Sequence, residues 1–200
     1  KFAGKIFKTF NKGLIEVCEG QAFDMQFNCN KNVNVDDYIL MIDKKTAFLL
    51  KTAVKIGAYY ANADDKTVQI LENVIHNFGI AFQFQDDMLD MTAEQEKLGK
   101  RIGQDIIEEK KTFLVIKSKE LAKEKDDIDL VNKFYENDGL SAEEAPKFIE
   151  LVKKLGVFEI SQEIIDKRLE MCYEDLNKLE QNYHVEMIKW LINSLNKRKF

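Results

Sequence analysis

Turn-forming residues are sparse in this chain, which constrains its fold more than any other feature. Proline occurs once and glycine nine times in 200 residues. So few breaks favour long helices over a β-rich fold. Apolar residues already recur at helical spacing at the start of the chain: Phe2, Ile6, Phe10 and Leu14. We therefore predict an all-α fold, with residues 1–200 forming one domain that is long enough for a sizeable core.

About eight helices are predicted. The first runs to about Asn28 and has no start signal before it. The second begins after Asn34, with two aspartates in its first turn, and ends near Asn62. The third runs from about Asp65 to Met91.

The second half of the chain carries weaker helix signals. A polar loop is predicted from Thr92 to Gln104, with Asp105 as the N-cap of the next helix. Ser141 begins a capping-box pattern, and Pro146 is expected to bend or shorten the first turns of that helix. From Phe158 onward, apolar residues up to Tyr183 alternate four and three positions apart. This spacing predicts a long amphipathic helix.

Carboxylates cluster at the end of the third predicted helix. At about 100° per residue, four polar side chains fall within one arc of roughly 100°: Gln83, Asp86, Asp87 and Asp90. Two carboxylates 4 Å apart repel by about 4 kcal/mol near a protein surface, so the cluster favours a bound cation. All-oxygen ligation without a His or Cys pair indicates Mg²⁺. An isolated Asp-Asp pair is, however, more often a solvated helix end.

Two features near this cluster strengthen the metal interpretation. Gly79 lies one turn earlier on the same helix face, where a missing side chain allows close approach. A glycine-punctuated basic segment, Gly99 to Thr112, follows the cluster and would suit a phosphate group. His76 shares the helix face, but a lone histidine is more often a core or surface residue than a ligand.

Four segments resemble motifs of one family, the trans-isoprenyl diphosphate synthases, and within it the eukaryotic farnesyl and geranylgeranyl type. FQFQDDMLD at Phe82 to Asp90 resembles the second aspartate-rich motif, and GKRIGQDIIEEKKTF at Gly99 to Phe113 resembles the lysine-bearing segment after it. EGQAFD at Glu19 to Asp24 resembles the Gly-Gln-x-x-Asp element, and MIDKKTA at Met41 to Ala47 resembles the Lys-Thr-Ala element. The order and the gaps agree along nearly the whole chain.

The resemblance implies an antiparallel helix bundle of the isoprenoid synthase type that works as a homodimer. It implies a Mg²⁺-dependent prenyltransferase that condenses an allylic diphosphate with isopentenyl diphosphate to make farnesyl or geranylgeranyl diphosphate. The allylic diphosphate ionises, the isopentenyl double bond attacks the carbocation, and a proton is lost. Positive charge from Mg²⁺ and lysines stabilises the departing pyrophosphate.

The resemblance also implies roles for individual residues. Asp86 would ligate Mg²⁺ directly, and two carboxylates would bind it through water or support it: Asp87 and Asp90. Three lysines would contact the allylic diphosphate: Lys45, Lys100 and, at a matching third position, Lys110. Three polar residues would line the substrate pocket: Gln21, Thr46 and Gln83. Two more carboxylates would support the site: Asp24 and Asp105. The alternative for each lysine is plain solvation, because each has a basic neighbour.

The family's first aspartate-rich motif is missing from the sequence. The other acidic doublets lie beside predicted helix starts or turns, where aspartate favours the helix dipole: Asp36-Asp37, Asp64-Asp65 and Asp126-Asp127. We infer the C-terminal part of a longer synthase whose N-terminal helices are missing, and we expect this piece alone to be inactive. A non-catalytic subunit or truncated product is one alternative. A class I terpene cyclase is another, although those enzymes generally carry Asn, Ser and Glu metal ligands.

Composition narrows the partners and the location. A net charge of −5 argues against nucleic acid as a partner. No apolar run approaches the roughly 18 residues of a membrane span, and the first residues do not read as a signal peptide. Three scattered cysteines, Cys18, Cys29 and Cys172, show no metal-ligand spacing and favour a reducing compartment. We therefore expect a cytoplasmic protein.

Overall fold

A computed structural model describes residues 2–92 and 102–196 of the chain. All regular structure within these residues is helical, so the predicted all-α fold is confirmed. Ten α-helices lie in them: α1 (Ala3–Cys29), α2 (Val35–Ile42), α3 (Phe48–Tyr60), α4 (Asp65–Thr92), α5 (Gln104–Ile107), α6 (Phe113–Leu121), α7 (Lys125–Glu136), α8 (Ala145–Lys154), α9 (Val157–Leu176) and α10 (Tyr183–Asn196). A π-helical turn, Asp43–Ala47, joins α2 to α3.

Side-chain caps explain where the early helices begin. Before α2, the backbone N–H of Asp37 donates to Asn34 Oδ1 at 2.9 Å, and the backbone N–H of Asn34 donates to Asp37 Oδ2 at 3.1 Å. Before α4, Asp64 Oδ1 accepts the backbone N–H of Thr67 at 2.7 Å. These bonds satisfy N–H groups that have no partner within the helix. The predicted starts of both helices are confirmed.

The second predicted helix is interrupted, and the prediction of one regular helix was wrong. The backbone N–H of Phe48 donates to the carbonyl of Asp43, five residues earlier. This π-helical bond widens one turn by a residue without ending the helix. Because the flanking turns keep helical spacing, the apolar pattern gives no sign of the change.

The predicted N-cap role of Asp105 was also wrong. Gly103 precedes α5 as its N-cap, with a φ of 74° that glycine adopts without strain. Asp105 is the second residue of α5, in its first turn. Its carboxylate is therefore available for contacts beyond its own helix.

Helix α8 begins later than the capping-box pattern predicted. The carbonyl of Ser141 accepts the backbone N–H groups of Glu144 and Ala145, both at 2.9 Å, which forms a turn ahead of the helix. Pro146 consequently lies in the first turn of α8, where its missing N–H costs nothing. Of the two predicted effects of Pro146, a shortened helix start is confirmed, because α8 begins at Ala145.

Helix α9 ends at Leu176, although the apolar spacing continues to Tyr183. The side-chain amide of Gln181 donates to the carbonyl of Leu176 at 3.0 Å, which satisfies one of the carbonyl groups left open at the helix end. The amphipathic helix itself is confirmed, and its predicted extension is not.

The described residues form two compact units. Unit 1 comprises those of Lys1–Phe23, Leu40–Gln83 and Ile165–Lys199, and unit 2 those of Asp24–Ile39 and Phe84–Ile164. Buried apolar side chains of α4, α9 and α10 form the core of unit 1. In unit 2, α8 contacts α5, α6 and α7. The single domain stays a prediction.

Within residues 2–92 and 102–196, no helix has both the length and the apolar character needed to cross a bilayer.

Candidate functional site

The Lys-Thr-Ala element occupies the π-helical turn of unit 1. We call Asp43–Ala47 the lysine turn. Lys45 and Thr46 are half-buried there, while Ala47 is fully buried. Because π turns displace side chains from the regular helical register, they frequently occur at functional positions. The turn therefore gives Lys45 and Thr46 directions that a regular helix would not.

Two glycines pack against the lysine turn. A Cβ atom on Gly20 of α1 would lie 2.3 Å from the backbone nitrogen of Lys45. A Cβ atom on Gly79 of α4 would lie 2.8 Å from Ala47 Cα. Neither distance leaves room for a side chain, because both neighbours are backbone atoms. The predicted Gly-Gln and Lys-Thr-Ala elements thus meet in unit 1.

Charged side chains also hold the lysine turn. The ammonium group of Lys44 contacts Glu16 and lies 2.8 Å from Glu19 Oε2, both on α1. Asp43 Oδ1 lies 3.0 Å from Nδ1 of His76 on α4. Burial alone would raise the pKa of Asp43, but its close contact with His76 and the charge of that ring hold it below its ordinary value. His76 therefore supports the turn.

The predicted pocket residues of unit 1 lie beside this turn. The Thr46 hydroxyl donates to Gln83 Oε1 of α4 at 3.0 Å, which joins two of the predicted catalytic residues. Gln21 is exposed and directly follows Gly20 on α1. Lys45, Thr46 and Gln83 thus belong to one unit and one set of packed elements.

Asp87 is the most deeply buried carboxylate of the predicted metal cluster. We call Asp86, Asp87, Asp90 and Asp105 of unit 2 the acidic cluster. Asp87 is 4% exposed, and its Oδ2 accepts the hydroxyl proton of Tyr38 at 2.6 Å. Burial, and then the charge of Asp87, raises the pKa of Tyr38 well above its ordinary value. The phenol is therefore a fixed donor to Asp87.

Asp90 joins the end of α4 to the start of α5. Its Oδ2 accepts the backbone N–H of Asp105 at 3.0 Å, and its carbonyl accepts the backbone N–H of Gly103 at 2.7 Å. Burial and the nearby charge of Asp105 raise the pKa of Asp90 to about 6, although the backbone hydrogen bond opposes that shift. A cation beside Asp90 would favour its charged form.

Asp86 is exposed on α4, next to Asp87 and one helical turn before Asp90. The three aspartates therefore differ in burial: Asp87 is buried, Asp90 is half-buried and Asp86 is exposed. In the described part of the chain, no three His, Cys, Asp or Glu side chains converge enough to hold a metal ion alone. Mg²⁺ typically takes one or two carboxylates and completes its shell with water and substrate phosphates. Asp86 and Asp90 fit that requirement, and Asp87 fits a supporting position.

Among the predicted lysines of the basic segment, Lys110 pairs with carboxylates. Its ammonium group lies 2.6 Å from Asp105 Oδ1 and 3.3 Å from Glu108 Oε2. Burial would lower the pKa of Lys110, but these partners raise it above its ordinary value. Lys100 lies outside the described residues. Asp24 is half-buried on α1 in unit 2.

Sequence reasoning missed three residues that position the predicted ones. Tyr38 anchors Asp87, and Glu16 and Glu19 anchor Lys44. The sequence did contain a signal for the two glutamates, because they are three positions apart, share one face of α1 and lie near Gly20. Tyr38 gave none, since a tyrosine beside apolar residues is ordinary core.

Comparisons with known proteins bear on the same segments. A model of the polyprenyl synthetase family matches residues 2–152. A geranylgeranyl diphosphate synthase from Sulfolobus acidocaldarius is 34% identical over 98% of this chain and 59% of that protein. A short chain isoprenyl diphosphate synthase from Methanothermobacter thermautotrophicus is 36% identical over 84% of this chain and 51% of that protein.

A solved structure agrees with these relatives. The crystal structure of a geranylgeranyl pyrophosphate synthetase from Pyrococcus horikoshii aligns with a TM-score of 0.87 and 30% identity, over 98% of this chain and 59% of that one. The chain thus spans between half and three fifths of the length of these proteins. The resemblance of the four motifs to the trans-isoprenyl diphosphate synthases is confirmed at the level of the family, and the chain belongs to the polyprenyl synthetase family.

Proposed function

We propose that the protein carrying this chain is a magnesium-dependent trans-prenyltransferase. It would join an allylic diphosphate to isopentenyl diphosphate and make farnesyl or geranylgeranyl diphosphate. The bond between the allylic carbon and its diphosphate oxygen breaks, a carbon–carbon bond forms, and one proton and one pyrophosphate leave. The observation that carries the proposal is the exposed Asp86 near the end of α4, next to Asp87 and one turn before Asp90, both of which are held by hydrogen bonds.

The acidic cluster would bind the magnesium that accompanies the pyrophosphate leaving group. Asp86 offers an exposed carboxylate, and Asp90 offers a carboxylate that accepts a hydrogen bond from the backbone of Asp105. Asp87 stays bonded to Tyr38 and orients this end of α4. Magnesium, when bound, supplies positive charge that stabilises the departing pyrophosphate. We therefore assign ligation to Asp86 and Asp90, and positioning to Asp87.

Lysines would supply the remaining positive charge. Lys45 lies in a turn packed against two glycines, so the backbone that carries its side chain is positioned before substrate binds. Lys100 and Lys110 are proposed for the same task from the matched motif. Lys110 would have to share its hydrogens with Asp105, which it contacts at 2.6 Å. We rank Lys45 first among the three.

Polar groups beside Lys45 would line the pocket near the reacting carbons. Thr46 and Gln83 are hydrogen-bonded to each other at 3.0 Å, which fixes both side chains. Gln21 would face the same cavity from α1. Fixed dipoles of this kind can orient a substrate and stabilise a carbocation without reorganising during the reaction.

We further propose a cytoplasmic homodimer. Exposed apolar side chains on α1 would suit a subunit contact: Phe7, Phe10, Leu14, Ile15 and Met25. Cys18 and Cys29 are exposed free thiols, which suit a reducing compartment. Sedimentation at several protein concentrations tests the dimer.

Incubation with isopentenyl and dimethylallyl diphosphates tests the activity. The complete protein should convert them to a longer prenyl diphosphate and release pyrophosphate with Mg²⁺ but not with EDTA. The 200-residue chain alone should make no product. If the complete protein also makes none, the prenyltransferase proposal is wrong and a non-catalytic subunit is favoured.

A further inference from the structure

A groove of about 390 Å³ opens in unit 1 between the first part of α1 and α3. Among the residues that the structure describes, those that line the groove lie outside both the lysine turn and the acidic cluster. Five of them are lysines, and we call this set the basic groove: Lys5, Lys8, Lys12, Lys51 and Lys55. The proposed function uses none of these side chains.

A close helix contact forms one end of the basic groove. A Cβ atom on Gly13 of α1 would lie 2.3 Å from Oγ1 of Thr52 on α3. Thr52 is buried, and its hydroxyl donates to the carbonyl of Phe48 at 2.8 Å. Because the two helices touch there, the groove is closed at this end.

Two aromatic rings lie beneath the lysines. Each ring has two ammonium nitrogens over it: Lys12 and Lys51 over Phe48 at 5.5 and 4.6 Å, and Lys5 and Lys55 over Tyr59 at 5.3 and 6.0 Å. Cation–π attraction at these distances favours ammonium groups that stay over the rings. Four of the five charges are therefore directed into the groove.

The positive charge of the basic groove is only partly balanced. Glu72 contributes one carboxylate to the described lining, and its two oxygens lie 2.9 and 3.0 Å from Lys55 Nζ. Five lysines less one glutamate leave a net charge of +4 among these residues, in a chain whose net charge is −5. Like charges gathered in one groove repel one another, and a bound anion would remove that repulsion.

We propose that the basic groove binds a small soluble molecule that carries two or more phosphate groups. Lysine binds phosphate oxygens as a point charge, and several such charges suit a compact polyanion. The volume lies within the range of small-molecule sites. Because lysines supply all the positive charge, binding here needs no divalent metal. The proposal does not depend on the proposed function.

Calorimetric titration with inorganic pyrophosphate in EDTA tests the proposal. Binding should be saturable, with one pyrophosphate per chain. The triple variant Lys8→Gln/Lys12→Gln/Lys51→Gln should weaken it by about tenfold or more, since three charge-assisted contacts are lost. A matched triple removes the same charge from exposed lysines elsewhere and should leave affinity within about twofold: Lys147→Gln/Lys153→Gln/Lys167→Gln.

Several outcomes would overturn the proposal. No saturable binding in EDTA would do so, as would equal weakening by the two triple variants, which would indicate diffuse attraction. Loss of the same binding in Lys45→Gln would place the pyrophosphate at the lysine turn. Binding to phosphatidylglycerol vesicles without binding to pyrophosphate would indicate a membrane surface. Circular dichroism of each variant confirms folding, and a protein without prenyltransferase activity would still give the titration.

Discussion

The lysine turn is fixed chiefly by packing, whereas the acidic cluster is fixed by hydrogen bonds to carboxylates. Around Lys45, the backbone lies so close to Gly20 that no side chain fits between them. At the end of α4, Asp87 is held by one phenol and Asp90 by one backbone N–H. In both regions, the charged side chains proposed to face the substrate therefore lie on a part of the chain whose position is fixed.

The difference predicts how each region responds to change. A packed turn loses stability when volume is added to it. Around buried and half-buried carboxylates, the free energy of unfolding instead changes when a single hydrogen-bond donor is lost or when the carboxylate is protonated. Substitutions in the two regions should therefore separate effects on turnover, stability and pH dependence.

The largest expected effect is on turnover. Asp86→Ala in the complete protein should lower kcat by about a hundredfold or more, because it removes a proposed metal ligand. Its stability should change little, since Asp86 is exposed. Asp129→Ala removes an exposed carboxylate from α7 and serves as the control. Steady-state kinetics with both diphosphates measures the ratio, and equal activity of the two variants would contradict the role of Asp86.

Adding volume at the lysine turn should have the next largest effect. Gly20→Ala should lower the free energy of unfolding by about 1 to 3 kcal/mol, because its Cβ would overlap the backbone of Lys45. Gly57→Ala is the matched control, since a Cβ there meets nothing within 4 Å. In the helix it should stabilise by about 0.5 to 1 kcal/mol. Urea unfolding of both variants measures the difference, and shifts of the same sign would refute the packing argument.

Removal of one phenol hydroxyl should weaken the acidic cluster. Tyr38→Phe should cost about 1 to 3 kcal/mol of stability, because the buried carboxylate of Asp87 loses a donor. Tyr135→Phe is the control, since within the described residues the buried Tyr135 hydroxyl has no hydrogen-bond partner. Thermal unfolding compares them. Equal losses of stability would mean that the Tyr38 bond contributes nothing specific.

The smallest effect is a pH dependence at Asp90. Its pKa of about 6 exceeds the ordinary 3.8, so the folded state binds this proton more tightly than the unfolded state. The stability of the parent chain relative to Asp90→Asn should therefore fall as pH rises from about 4 to about 6, and be flat outside that window. Because Asp90 is partly exposed, the change should be about 1 kcal/mol or less.

Unfolding curves in EDTA at several pH values measure that difference. The lysine turn supplies the contrast, because the pKa of Asp43 is lowered. Relative to Asp43→Asn, the parent chain should gain stability as pH rises through the lower range instead of losing it. The same slope for both aspartates would show that the two regions do not differ as described.

The helical spacing of apolar residues and the side chains that cap the helices could be recognised in the sequence. The starts of α2 and α4 follow from Asn34 and Asp64, whose side chains act on residues only three positions away. Local contacts of this kind need no knowledge of the fold. The four motifs likewise identified the family, because their order and spacing lie along the chain.

Contacts between distant segments were not readable. Asp105 was mistaken for a helix cap because its contact with Asp90 forms only when the chain returns to the end of α4. The π turn was missed because the residues that pack against it, Gly20 and Gly79, lie 25 and 32 positions from Lys45 and Ala47 in the sequence. The side-chain pattern around it remains helical.

The sequence by itself determined the helical class, the family and which residue types carry charge, because periodicity and motif spacing are properties of neighbouring positions. Only the tertiary structure decided that Asp87 is buried against Tyr38 while Asp86 stays exposed. The same holds for the collection of five lysines in one groove of unit 1. Burial, pKa and access depend on which side chains from other helices pack alongside, and adjacent residues in one sequence can differ in all three.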